Sequence, residues 1–255
     1  MTCETEGSQM TGCEKAKFNL SLFSYLLFGL CIFLQETAVA ADHGRHWSIS
    51  VLHGGNFLGP GSDIESALIR DGYDDDVTIF TATTRFPLSK HHGSELVAIR
   101  RNLTEPYAIS LHVANIDFAE TVGNKSLMSL FETGRVGVSS YGYLIAPVAS
   151  TSIFGALRFG VGPALYFLEA TAFRSSVDPS GGQYDHTRLG ALFDVSLETP
   201  LQRRFFIESR LQFRFVGSVD NGPFTAQSIF GTETLNATSV NYDHFFFAIG
   251  LGGRF

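Results

Sequence analysis

The chain has 255 residues, 26 Gly, 24 Phe, three Cys and a formal net charge of −7 at pH 7. A mildly acidic chain carries no electrostatic footprint for nucleic acid. Cys3, Cys13 and Cys31 all precede residue 41, so the rest of the chain has no disulfide framework, no thiol nucleophile and no cysteine metal site.

In chain order, Lys15 and Lys17 form a short positive region, followed by an apolar stretch from Leu20 to Leu34 and by Ala38-Val39-Ala40. Small residues at those two alternate positions are what a signal peptidase reads. Residues 1–40 are therefore expected to be a cleaved signal peptide, and 41–255 the exported domain of about 215 residues. A membrane-anchoring helix is the alternative, since about 15 apolar residues approach the lower limit for spanning. Phe28-Gly29-Leu30 before Cys31 argues against a lipoprotein anchor, and Met10 competes with Met1 as the start. Loss of the leader removes two Lys and four Glu and takes the charge from −7 to −5. Beyond residue 40 no run of 18 apolar residues occurs, so no transmembrane helix is expected there.

The remainder alternates with period two, the signature of strands. Trp47, Ile49 and Val51 alternate with Ser48, Ser50 and Leu52; Tyr107 to Val113 alternate with Ala108 to Ala114. The same holds for Leu157–Phe167, Arg188–Glu198 and Phe205–Phe215, and more weakly for Ser94–Arg101 and Arg135–Ile145. The last strand is the clearest: Phe245, Phe247, Ile249, Leu251 and Phe255 recur at alternate positions, with Ala248, Gly250, Gly252 and Arg254 between them. Eight strands result. Connections at Asn102–Pro106, Ala146–Ser152 and Thr199–Arg203 are short and carry Pro or Asn, as turns do. Those at Asn56–Gly93, Phe118–Gly134, Glu169–His186 and Gly217–Ser239 are long and polar. Strict alternation of short and long puts all turns on one rim of an up-and-down barrel and all long loops on the other. The expected fold is all-β: an eight-stranded antiparallel up-and-down transmembrane β-barrel with a short helix in the first long loop. A soluble β-sandwich or lipocalin-like barrel also alternates, but hides its apolar face instead of exposing it.

In the first long loop, Ser62-Asp63-Ile64-Glu65 fits a capping box, Ala67 to Ile69 continue a helix and Gly72 closes it. Asp74-Asp75-Asp76 reads as a solvated acidic tip, because consecutive carboxylates rarely converge on one ion.

From Trp47 to Phe255 the chain resembles the small outer-membrane β-barrels of Gram-negative bacteria: the membrane domain of OmpA, OmpX and the OmpW-like barrels. The terminal strand Phe245–Phe255 and the strand–turn parity carry that resemblance. It implies an outer-membrane location and contact with outer-membrane lipid, lipopolysaccharide included. It also implies that the strand bearing Phe245, Phe247, Ile249, Leu251 and Phe255 is the signal read by the barrel-assembly machinery. Full-length OmpA carries a cell-wall-binding domain after its barrel; none is expected here after Phe255. A closed wall has no open edge, so a monomer is expected.

Architecture does not supply an activity. Ser110 and His112 share one face of a strand, but it is the lumen face, where a lipid-hydrolysing dyad would not meet its substrate. His91-His92-Gly93-Ser94-Glu95 reads as a polar rim. His53 and His244 come close if the first and last strands pair, without a third metal ligand. No catalytic, cofactor-binding or metal site is assigned, and no cofactor is expected. What remains is a set of lumen-facing charges: Arg158, Arg188, Arg210, Arg214 and Arg254 against Asp194, Glu198 and Glu208. Eight strands leave an interior only wide enough for side chains, so these must pair or stay wet. A paired network, with Tyr166, Leu192 and Phe206 adding bulk, would plug the barrel; a wet one would be a narrow positive pore. Tyr107, Tyr141, Tyr143, Tyr166 and Phe205 lie near strand ends, and those pointing outward are expected to form interfacial girdles. The leading expectation is a structural or surface-binding barrel acting through its four long loops. A small-solute pore and a lipid A-modifying enzyme are the alternatives.

Overall fold

The computed structural model describes residues 47–255 except 58, 74–75, 80–81, 86–88, 91–92, 119, 127–132, 154–155, 174–181, 203 and 229–230. Residues 1–40, expected to be a signal peptide, and Asp74, Asp75, His91 and His92 lie outside the described residues.

Eight strands form the wall: β1 Trp47–Phe57, β2 Gly93–Asn102, β3 Tyr107–Asp117, β4 Thr133–Ile153, β5 Leu157–Phe173, β6 Gln183–Pro200, β7 Phe205–Phe215 and β8 His244–Arg254. Each pairs antiparallel with its sequence neighbour, and β8 returns to β1, so the sheet closes on itself. Trp47 and Phe255 exchange two backbone hydrogen bonds at the seam, of 3.3 and 2.8 Å. Closure satisfies the edge groups that an open sheet leaves unpaired.

Alternation along each strand sets the two faces. On β7, Phe206, Glu208, Arg210, Gln212 and Arg214 point inward and are buried, while Leu211 and Phe215 are exposed. The charged residues are inside and the large apolar ones outside: Arg214 and Glu208 are both 0% exposed, Ile249 51% and Val161 61%. A water-soluble barrel has the opposite distribution, because exposed apolar area is costly in water and exposed charge is costly in hydrocarbon. This wall suits a bilayer.

Its height agrees. Phe57, Phe245 and Phe213 are neighbours in register across β1, β8 and β7 and form an aromatic arc, the outer aromatic ring, towards the long-loop rim. Trp47, Phe205 and Tyr107 are exposed at the other rim. The eleven residues of β1 join the two rings. At about 3.3 Å per residue and a tilt of about 40° they rise roughly 25 Å, the height of a barrel's apolar band.

β4 runs on to Ile153 and β5 starts at Leu157, so the connection between them comes later than the Ala146–Ser152 segment that Pro147 suggested. Pro usually ends a central strand because it cannot donate to the ladder. Here the β4–β5 ladder skips residues 146–148 and 162–164, where Pro147 faces Pro163, and resumes in the same register. Two residues lacking N–H share one gap in the ladder, so neither strand is interrupted.

β4, β5 and β6 run 21, 17 and 18 residues and rise past the other strands on the long-loop side. There residues 121–126 of the second long loop pair with the start of β4. In the first long loop, α1 spans Gly61–Arg70. The Ser62–Glu65 capping box does not form: the helix starts two positions earlier, Pro60 occupies the N-cap, and no side chain caps it. Ser62 is thereby inside the first turn, where its carbonyl accepts from the Ser66 hydroxyl at 2.8 Å. Gly72 does end the helix. Its φ of 86° lets Gly72 N–H reach the Ile69 carbonyl and Tyr73 N–H reach that of Leu68, at 3.0 and 2.9 Å, a Schellman closure.

Candidate functional site

The lumen side chains form three connected tiers, built on what β8 leaves empty. In register, Phe206 faces Gly252, Glu208 faces Gly250 and Arg210 faces Ala248. Small residues on one strand make room for the long ones of the next. A Cβ on Gly252 would collide with the Phe206 ring.

The tier nearest the short turns centres on Glu198. Arg100 Nη2 lies 2.5 Å from its Oε1, Arg158 Nε 3.3 Å from the same oxygen, and Arg254 Nη2 2.7 Å from Oε2. The Arg100 and Arg254 guanidiniums also sit 5.9 and 5.0 Å from the centre of the Phe206 ring. Four strands thus supply one carboxylate and three guanidiniums.

The middle tier centres on Arg210. It pairs with Glu208, lies 3.7 Å from Asp194 and brings Nη1 to 2.7 Å from His112 Nε2. Gln212 donates to Asp194 at 3.0 Å. In the outer tier Arg214 donates through Nε and Nη2 to Gln212 Oε1 at 3.0 and 2.7 Å, and its guanidinium carbon stands 4.1 Å from the centre of the Phe246 ring. No carboxylate pairs with Arg214 among the described residues.

Glu198 and Glu208 are directly opposite in register, yet each turns to different arginines. That separation keeps two like charges on adjacent strands from repelling each other unscreened.

One expected member stands outside this network. Arg188 is exposed. β7 stops at Phe215, whose partner on β6 is Ala191, so β6 has no neighbour on that side at residue 188. The side chain has lumen parity but no lumen around it. Conversely, Arg100 joins the network without having been expected in the lumen, and His112 and Gln212, expected on the lumen face, turn out to be members of the network itself. Arg100 has the parity of Ser94, Leu96 and Ala98, and that signal could have found it; beside Arg101 at a strand end it reads as rim.

Ser110 Oγ and His112 Nε2 come within 3.0 Å, but both side chains are buried and His112 is held by Arg210 and Gln212. His53 and His244 do not meet: His53 is exposed on the outer face, whereas His244 points inward beside Arg214. In the segment expected at the rim, Ser94 turns inward and accepts from the Asn56 side chain at 2.6 Å and from Asp117 N–H at 3.0 Å. Of the ringed aromatics, Tyr107 and Phe205 face outward, while Tyr166 is fully buried in the lumen.

Above the network, α1 closes the barrel. Ile64, Ala67 and Leu68 are buried, and Ile64 and Leu68 belong to the same apolar cluster as the lumen residues Leu52, Leu96, Leu144, Tyr166 and Leu192. Phe118, Val219, Val240 and Tyr242 from the other loops complete it. Two aspartates pin the helix to the last loop. Asp63 accepts from Asn241 N–H at 2.7 Å; Asp71 accepts from Asn236 N–H at 2.7 Å and from its side-chain amide at 3.1 Å.

Closed antiparallel sheet, inverted surface and interfacial rings together define a transmembrane β-barrel of the outer-membrane class. Solved structures show a likeness to the chain. The chain is similar to OprG of Pseudomonas aeruginosa (11% identity, 82% of this chain and 95% of that one, TM-score 0.47). It is also similar to a major outer-membrane protein of Thermus thermophilus (11%, 82% and 99%, 0.49). A third is Ail, the attachment invasion locus protein of Yersinia pestis, solved with the heparin analogue sucrose octasulfate (9%, 82% and 98%, 0.42). No protein-family model and no curated protein matches the chain.

Proposed function

We propose that this protein is a closed outer-membrane barrel whose working surface is its long-loop face, with a structural or surface-binding role. The continuous burial of the lumen carries this reading: Phe206, Glu208, Gln212, Arg214, Tyr166 and Phe246 are each 0% exposed, and α1 seals the loop end. A channel needs a wet path, and these tiers interlock across the space an eight-stranded wall encloses. The loops are then ordered polar surface on a rigid frame, where binding functions tend to reside. Outer-membrane lipid, including lipopolysaccharide, surrounds the wall, and the barrel-assembly machinery inserts it as a monomer.

A narrow pore is the second reading. The observation favouring it is the charge imbalance of the interior, where five arginines (100, 158, 210, 214, 254) meet the three carboxylates of Asp194, Glu198 and Glu208. Ion conductance of the refolded chain in planar bilayers distinguishes the two. The plugged barrel inserts and stays silent; discrete, reproducible openings would make the pore the function.

A further inference from the structure

Below α1, on the outside of the wall, a cavity of about 330 Å³ opens at the outer aromatic ring. Its floor is Phe213, Phe215 and Phe245, and its roof includes Ser62, Asp63 and Asp243. Phe213 stacks on Phe215 at 5.5 Å between ring centres and meets Phe245 edge-on. These rings belong to the lipid-facing side, so the floor is continuous with the bilayer's outer leaflet. The roof belongs to the loops and lies at headgroup level.

The two carboxylates are half-committed. Asp63 uses Oδ2 for Asn241 N–H, and Asp243 uses Oδ1 for Val216 and Gly217 N–H at 2.7 and 2.8 Å. The second oxygen of each has no partner among the described residues. Among the described residues no Lys or Arg lines the cavity, and the lining His244 is turned to Arg214 and the Tyr242 carbonyl. An anion would meet two like charges here, and a neutral apolar molecule would leave both oxygens unpaired. A cation would be drawn by the carboxylates and by the faces of three aromatic rings, which attract positive charge through their quadrupoles.

From this juxtaposition of an aromatic, lipid-continuous floor with a doubly acidic roof, we infer a binding site for an alkylammonium amphiphile, its head under Asp63 and Asp243 and its tail along the phenylalanines into the leaflet. Charge supplies the preference for the head, and apolar burial holds the tail. The site is on the outside of the wall and does not depend on whether the lumen conducts.

The test uses the full chain refolded in zwitterionic lipid nanodiscs, with octylammonium as probe and octanol and octanoate as neutral and anionic controls of equal tail length. Calorimetric titration, corrected with empty nanodiscs, is expected to show saturable binding of octylammonium at least tenfold tighter than of either control. Asp63→Asn and Asp243→Asn should each weaken it about tenfold, the scale of one charge-assisted contact. Because both aspartates also hold loops, Ser62→Trp serves as a second variant: it fills the cavity, keeps both carboxylates and should abolish binding. Gel mobility with and without heating verifies that each variant is folded. Equal affinity for octanol, heat no greater than in empty nanodiscs, or undiminished binding by folded Ser62→Trp would overturn the assignment.

Discussion

Glu198 concentrates the residue-scale energetics. It is the carboxylate that neutralises Arg100, Arg158 and Arg254, and it is itself buried. A buried ion cluster adds little over a well-packed apolar core, but removing one partner strands the others in low dielectric. Glu198→Ala is therefore expected to cost about 3–5 kcal/mol, the penalty of an uncompensated buried charge. Denaturant unfolding in lipid vesicles checks this, and a loss below about 1 kcal/mol would mean that water reaches the three guanidiniums. Gly252 is a steric counterpart. Its missing side chain is the space in which the Phe206 ring rests. Gly252→Ala should displace that ring and cost about 1–3 kcal/mol by overpacking. An unchanged unfolding midpoint would show that Phe206 moves aside freely.

At the scale of elements, α1 is a ten-residue helix that owes its position to tertiary contacts, since isolated helices this short are marginal in water. Its apolar face is buried over the lumen, and Asp63 and Asp71 fasten it to the last loop near either end. Burial pushes the Asp71 carboxyl up, but hydrogen bonds from the Asn236 backbone and side chain, with Arg70 beside it, outweigh burial and leave it below its ordinary value. A folded-state value below the unfolded one stabilises the fastened form fully above the ordinary carboxylate range of about 4. That contribution is lost only as pH falls through the lowered value. The Asn236 amide resonance should therefore stay constant from neutral pH down to about 5 and move with a midpoint below about 4. A midpoint at or above the ordinary value would remove Asp71 as a fastener. β6 makes the complementary point: where it outruns β7, Arg188 keeps lumen parity and loses the lumen.

For the whole molecule, the two aromatic rings set the depth of insertion. Trp47 is the only tryptophan and is 47% exposed at the short-turn rim. Its fluorescence should be quenched more strongly by lipids brominated near the headgroup than by lipids brominated near the chain end. The reverse order would shift the bilayer along the barrel and undo the alignment of its rings with the interfaces. The closed sheet also predicts a barrel that resists detergent until heated, because within the wall every strand is paired on both sides and leaves no edge for unfolding to begin from.

Eight strands, their inward and outward faces and the alternation of turns with loops were legible in the residues, because period two and turn chemistry are local properties. Pro147 misled at the turn before β5 for the same reason: the local rule holds for one proline, and the facing Pro163 can be seen only once the strands are paired. The charges of the lumen were legible as a set but not as pairs. Glu198 lies on β6 and its partners on β2, β5 and β8, separated by up to 98 positions in the chain and joined only by closure of the wall. Arg188 left that set on grounds of neighbouring strand length that no single segment encodes, whereas Arg100 entered it by a parity already present in β2. Likewise, alternation assigned the faces of the strands, whereas the packing of the second and last long loops against α1 decided where the helix sits. Local covalent geometry dictates which way a side chain points; only the closed sheet, by bringing distant strands within hydrogen-bonding reach, dictates what it meets there.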